Sequence, residues 1–129
     1  MRLKIVVVDD NPAVLSQVVS LLETEFDVVA TAENGLLALE SIRRYMPDVV
    51  VADLGMPIIN GVELTRELKR VASRPVVVIC SVENDQEIVE AARQAGALGY
   101  VFKSHMTRDL IKAVKLAAQG KSFISSGNL

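Results

Sequence analysis

Leu3-Lys4-Ile5-Val6-Val7-Val8-Asp9-Asp10 opens the chain with a run of branched apolar residues that stops on two carboxylates. Ile5, Val6, Val7 and Val8 leave neither face of a strand polar. Such a strand must be covered on both sides, as in a parallel sheet flanked by helices. Four more runs of this kind follow, at 26–31, 49–52, 76–80 and 99–102, and the runs at 3–8, 49–52 and 76–80 each contain a Val triplet.

The segments between the runs have helical periodicity. Asn11-Pro12 offers a capping side chain followed by proline at the first helical position, where its missing N–H costs nothing. Val14, Val18, Leu21 and Leu22 then form one apolar stripe. Similar stripes recur with Leu36, Leu39 and Ile42, with Leu64 and Leu68, with Ile88 and Ala92, and with Leu110 and Val114. Asn84 and Asp85 read as a helix start. Five strands alternating with five helices, beginning on a strand, predict an α/β doubly wound parallel sheet with helices on both faces. Such sheets bind ligands at the carboxyl ends of their strands, beside the point where the strand order reverses.

Composition narrows the chemistry. The chain has 129 residues, 50% of them hydrophobic. A chain of this length buries roughly two thirds of its unfolded surface, enough for a core without disulfides or structural metal. Lys and Arg number 14 against 16 Asp and Glu, a net charge of −2 that gives no reason to expect nucleic acid or anionic membrane. Two Tyr, three Phe and no Trp make a poor platform for stacking bases. One Cys and one His form neither an intrachain disulfide nor a Cys/His zinc site. Cys80 is expected to face away from its neighbour Ser81 and to pack as a small hydrophobe. His105 reads as a solvated loop residue, and Met46, Met56 and Met106 read as packing residues. Residues 1–4 are too short a lead for a signal peptide, and no apolar run approaches the roughly 18 residues of a spanning helix. The expected location is cytoplasmic, away from any membrane.

Polar chemistry gathers at the strand ends. The first strand ends in Asp9 and Asp10, the third in Asp53 and the fourth in Ser81, and the fifth runs into Lys103. With strand order 2-1-3-4-5 the first and third strands are neighbours, and three carboxylates converge. Clustered carboxylates either take up protons or hold a cation. A hard divalent ion that prefers oxygen, Mg²⁺ above all, suits a shallow site at a sheet edge. A lysine and a hydroxyl opposite suit an anion with several oxygens, phosphoryl being the obvious one. Asp53 is then the candidate nucleophile, because a carboxylate attacks phosphorus without a base once cations neutralise the phosphoryl oxygens.

At these positions the sequence resembles the receiver domain of two-component response regulators, over essentially the whole chain. The carriers are Asp9-Asp10, Asp53-Leu54-Gly55-Met56-Pro57 with Asn60-Gly61, Ser81, and Gly99-Tyr100-Val101-Phe102-Lys103. The lack of a proline after Lys103 and the tail over 117–125 look most like the LuxR/NarL-type class. The resemblance implies a flavodoxin-like receiver fold with Asp53 as phosphoryl acceptor from a sensor histidine kinase or a small phosphodonor. It implies Mg²⁺ held by Asp10, Asp53 and the carbonyl of Gly55, with Asp9 acting through water. Lys103 would pair with the phosphoryl group, Ser81 would hydrogen-bond it, and the backbone amides of Gly55 and Val82 would complete its contacts. Ser81 and Tyr100 would form a switch that alters the surface of the fourth helix, fifth strand and fifth helix. Homodimerisation on activation is a further implication.

On the same resemblance residues 1–121 are a receiver domain, and 122–129 are a C-terminal tail or the start of a linker to an output domain absent from this chain. DNA would be bound only through that domain, in transcription regulation. The alternative is a stand-alone receiver that docks on other proteins. Val82 replaces the small residue usual beside the phosphoryl site, which predicts tighter access, and Lys103-Ser104 replaces the frequent Lys-Pro pair. Phosphatases of the haloacid dehalogenase type also form an aspartyl phosphate, but they need an acid/base Asp two residues after the nucleophile, where this chain has Gly55. The expectation is therefore a signalling domain with slow self-dephosphorylation rather than a turnover enzyme. No glycine-rich nucleotide-binding loop follows the first strand.

Overall fold

A computed structural model of the chain describes residues 2–71 and 74–126. In chain order these form β1 (Lys4–Val8), α1 (Pro12–Leu22), β2 (Asp27–Ala32), α2 (Gly35–Tyr45), β3 (Val49–Ala52) and α3 (Gly61–Leu68). They continue with β4 (Val76–Ser81), α4 (Gln86–Ala95), β5 (Gly99–Phe102), a 3-10 turn (Lys103–His105), α5 (Met106–Ala118) and β6 (Phe123–Ile124). The sheet is parallel throughout, in the order β2-β1-β3-β4-β5-β6. Its first five strands follow the order expected from the sequence.

The sixth strand is new. Phe123 and Ile124 pair with Gly99 and Tyr100 in the stretch read as a tail, and two residues are too few to carry a recognisable period. Residues 127–129 of that stretch lie outside the described residues.

Alternation along the strands sorts the core into two layers. Val6, Val8, Val50, Ala52, Val77 and Ile79 lie on the face covered by α2, α3 and α4. Ile5, Val7, Val49, Val51, Val78 and Cys80 lie on the face covered by α1 and α5. Both layers are dry: Ile5, Val6, Val49 and Val50 are all 0% exposed. This is why the runs carry apolar residues at every position. Cys80 faces away from Ser81 as expected, and burial pushes its thiol up to about 12. Among the described residues no helix is long and apolar enough to cross a membrane.

Side chains cap the starts of α1, α2, α3 and α4. The Asn11 Oδ1 accepts from the N–H groups of Ala13 and Val14 with Pro12 in the first turn, and Asp85 caps α4 by accepting from Glu87 N. At α3 the cap is reciprocal: Asn60 accepts from Glu63 N at 2.9 Å while the Glu63 carboxylate accepts from Asn60 N at 3.2 Å.

Three residues differ from the sequence reading, the first being Leu36, which stands 49% exposed in the first turn of α2 while Leu39 and Ile42 of the same stripe are buried. Met46 does not pack; it is 63% exposed and ends α2 in the left-handed conformation, φ 47°. His105 is not solvated but buried, because the chain turns directly from β5 into α5 through the 3-10 turn. Its ring meets the Phe102 ring edge-on at 5.7 Å, and its Nδ1 lies 2.8 Å from the Ser104 hydroxyl. The Lys103–Ser104 peptide is trans.

Candidate phosphoryl and cation site

The β1–β3 pairing brings the acidic strand ends together. Val8 pairs with Ala52, and the ladder runs one residue further as the Asp53 N–H donates to the Val8 carbonyl at 3.0 Å. On the other side of β1 the Asp9 N–H donates to the Ala32 carbonyl at 3.1 Å. Both aspartates therefore have their backbones fixed by the sheet itself. Carboxylate oxygens of Asp9, Asp10 and Asp53 lie within 4.8 Å of one another. In an octahedron of roughly 2.1 Å bonds, neighbouring oxygens stand about 3 Å apart and opposite ones about 4 Å. Small side-chain adjustments would thus gather all three around one hard cation, and the all-oxygen donor set fits Mg²⁺ chemistry. The cluster is capable of coordinating a divalent metal.

Lys103 closes the site from β5. Its ammonium lies 2.8 Å from Asp9 Oδ2 and 3.3 Å from Asp53 Oδ2. Burial alone would pull this lysine down, but its hydrogen bond to Asp9 and the charges of Asp53 and Asp9 outweigh that and hold it above its ordinary value. The remaining oxygens are also used. Asp9 Oδ1 accepts from Asn11 N at 2.9 Å, and Asp53 Oδ1 accepts from Leu54 N at 2.8 Å. Asp9 is buried, Asp53 half-buried and Asp10 exposed, so solvent reaches the cluster from the Asp10 side.

Ser81 and Tyr100 meet through a residue that the sequence reading passed over. Both lie on the α4 side of the sheet, in line with Val77 and Ile79. The Ser81 Oγ accepts from the Glu83 N–H at 3.1 Å, and the buried Tyr100 hydroxyl donates to the Glu83 carbonyl at 2.8 Å. Glu83 therefore ties the loop between β4 and α4 to both expected switch residues. Burial raises the Tyr100 phenol, with the Ser81 hydroxyl pulling the other way. Between them Val82 is 74% exposed.

Gly61 is a second residue whose role is visible only in three dimensions. A Cβ built there would stand 2.4 Å from the Asp53 carbonyl oxygen, and the Gly61 N–H donates to the Leu54 carbonyl at 3.0 Å. The first turn of α3 thus packs directly on the backbone of Asp53. The Asn60-x-x-Glu63 spacing is the sequence signal that could have placed that helix start. Gly55 is unlike Gly61, since nothing lies within 4 Å of a Cβ added there.

An open parallel sheet whose reversal point carries an acidic cluster, with a lysine seated against it, defines an α/β domain with a cation-competent site at the carboxyl ends of its strands. Residues 5–115 match the sequence profile of the response regulator receiver domain, and the chain belongs to that family. By family it is a receiver, the domain of response regulators. The chain is 38% identical over 125 residues to the transcriptional regulatory protein DegU of Brevibacillus brevis, a match covering 95% of this chain and 53% of that protein. It is 32% identical over 114 residues to the chemotaxis protein CheY of Halobacterium salinarum, covering 88% of this chain and 95% of that protein. A crystal structure of a LuxR-family two-component response regulator from Aurantimonas sp. SI85-9A1 superposes with a TM-score of 0.91 at 31% identity, covering 97% of this chain and 91% of that one. The chain spans about half the length of the DegU relative.

Proposed function

We propose that Asp53 is the phosphoacceptor of a two-component response regulator. A carboxylate oxygen of Asp53 attacks phosphorus of a phosphohistidine on a sensor kinase, or of a small acyl phosphate. A P–O bond forms, the donor's P–N or P–O bond breaks, and the electron pair leaves with the donor. Lys103 follows the negative charge, exchanging its contact with Asp53 Oδ2 for a phosphoryl oxygen. The Ser81 hydroxyl and the amides of Gly55 and Val82 take the remaining oxygens. Asp10, Asp53 and the Gly55 carbonyl would hold Mg²⁺, with Asp9 acting through water, and the ion would supply charge neutralisation. The observation that carries this reading is the Lys103 ammonium bridging Asp9 and Asp53 beside the three-carboxylate cluster.

Phosphorylation adds about −1.5 to −2 charge units at Asp53. Drawing the Ser81 hydroxyl to the phosphoryl group costs its bond to Glu83 N and frees the loop that Tyr100 also holds. The surface of α4, β5 and α5 is reshaped by this population shift. The likeness to the transcriptional regulatory protein DegU and to a LuxR-family response regulator supports a LuxR-type transcription output carried by a further domain, and dimerisation on activation is part of the same proposal. The likeness to CheY along nearly its whole length favours a second reading, a receiver that acts alone by docking on proteins.

Incubation with acetyl phosphate tests the core of the proposal. The expected result is a mass gain of one phosphoryl group that requires Mg²⁺ and is lost in Asp53→Asn. A mass gain that persists in Asp53→Asn refutes it.

A further inference from the structure

Ser125 lies beyond the residues that the receiver family matches, yet it is buried, 3% exposed, and its side chain reaches the backbone of the residue before Lys103. Its hydroxyl donates to Asp109 Oδ2 at 2.7 Å and accepts from the Phe102 N–H at 3.1 Å. Phe102 immediately precedes Lys103. Behind Ser125, the buried Asp109 carboxylate is held by Arg108 through Nε at 2.8 Å and Nη2 at 3.0 Å. The same guanidinium donates to the Ser126 carbonyl at 3.0 Å.

Docking of β6 does not need the hydroxyl. The Phe123 N–H donates to the Leu98 carbonyl at 3.0 Å and the Ser125 N–H to the Tyr100 carbonyl at 2.9 Å, so the backbone alone attaches the segment to β5. The hydroxyl adds a partner for the N–H of Phe102, at the end of β5 beyond the paired residues Gly99 and Tyr100. The ammonium of the next residue must stay within hydrogen-bond reach of Asp9 and Asp53, and a displaced backbone at that point moves it directly.

The geometry points to Ser125, backed by Asp109, as a positioning residue for Lys103. Residues 123–126 then belong to the scaffold of the phosphoryl site, and whatever follows them in a longer protein is mechanically joined to it. The link is reciprocal: pulling the segment away weakens the grip on the phosphoryl group, and phosphorylation alters the hold on the segment. This rests on the reading of Asp53 as phosphoacceptor.

The test is a fluorine NMR titration of the full chain with beryllofluoride and saturating Mg²⁺, on wild type, Ser125→Ala, Lys103→Ala and the double variant. Ser125→Ala is expected to bind the mimic about tenfold more weakly, through misplacement of Lys103. In the Lys103→Ala background the same change is expected to add nothing, and Ser125→Thr, which keeps the hydroxyl, restores most of the affinity. Wild-type affinity in Ser125→Ala overturns the proposal. So does an equal loss with and without Lys103, which marks a structural role only. If circular dichroism shows Ser125→Ala unfolded, the same cycle is read with Asp109→Asn under the same criteria. Failure of the wild type to bind the mimic at all overturns the Asp53 reading as well, and the wild-type arm separates that failure from the others.

Discussion

Gly61 sits on the backbone of Asp53 so closely that a single added carbon would stand 2.4 Å from the Asp53 carbonyl oxygen. Neither partner can yield easily. The carbonyl belongs to the sheet edge, where the Asp53 N–H is bonded to Val8, and the helix start is fixed by the reciprocal cap between Asn60 and Glu63. Gly61→Ala is expected to destabilise the domain by about 1–3 kcal/mol, the range for overpacking a rigid site. Phosphorylation by acetyl phosphate should fall further than stability does, because the strain is relieved by moving Asp53. Denaturant unfolding compared with the phosphorylation rate separates the two effects. Unchanged phosphorylation in a destabilised variant would show that α3 moves instead.

Asp109 makes the attachment of β6 sensitive to acid. The Arg108 guanidinium beside it, with help from the Ser125 hydroxyl, holds its carboxyl below the ordinary carboxylate range. A depressed folded value means that the unfolded chain binds the proton more readily. The stabilisation is thus fully present above the ordinary carboxylate range, near pH 4, and is lost as pH falls through the lower folded value. Asp109→Asn should be less stable than wild type at neutral pH and should show a flatter loss of stability on the acid side. Urea midpoints measured from pH 3 to 7 check this, and parallel curves for the two proteins would count against it.

Val82 stands 74% exposed between Ser81 and Glu83, the two residues that anchor the loop from β4 to α4. Its isopropyl group is free to narrow the approach of a bulky donor without affecting the carboxylate cluster. Val82→Ala is expected to accelerate phosphorylation by large donors several-fold and to leave stability within about 0.5 kcal/mol, as for an exposed position. Equal rates for the two proteins would remove Val82 from the access path.

Cys80 should be silent in the folded protein. With its thiol pushed up to about 12 by burial, the thiolate fraction at pH 8 is on the order of 10⁻⁴, against roughly a quarter for a free cysteine. Alkylation should therefore be at least a hundredfold slower in native buffer than in denaturant, and its rate should report opening of the sheet. Rapid labelling of the native chain would mean that the β4–α5 layer opens locally.

The fold was readable because the physics of a buried parallel strand is local. A strand covered on both faces has no polar positions, so Ile5 to Val8, Val49 to Val51 and Val76 to Ile79 announce themselves one after another. Asn11-Pro12 and Asp85 announced helix starts for an equally local reason, since a cap bonds to amides two or three residues away. The exposed Met46 and the buried His105 escaped because burial of a single side chain depends on what packs across from it. The sixth strand escaped because two residues define no pattern.

By itself, then, the sequence determined the order of elements, the strand ends on which Asp9, Asp10, Asp53, Ser81 and Lys103 stand, and the charge balance of the cluster. Tertiary structure alone decided how those groups are held. The ammonium of Lys103 bridges Asp9 and Asp53 only because β1, β3 and β5 lie in one twisted sheet. Gly61 meets Asp53, Glu83 joins Ser81 to Tyr100, and Ser125 reaches Phe102, each through contacts between segments that come together only in the folded chain. Local propensity acts over a few residues, whereas a site is fixed by distances across the sheet, and those exist only once the strands have paired and the helices have closed over them.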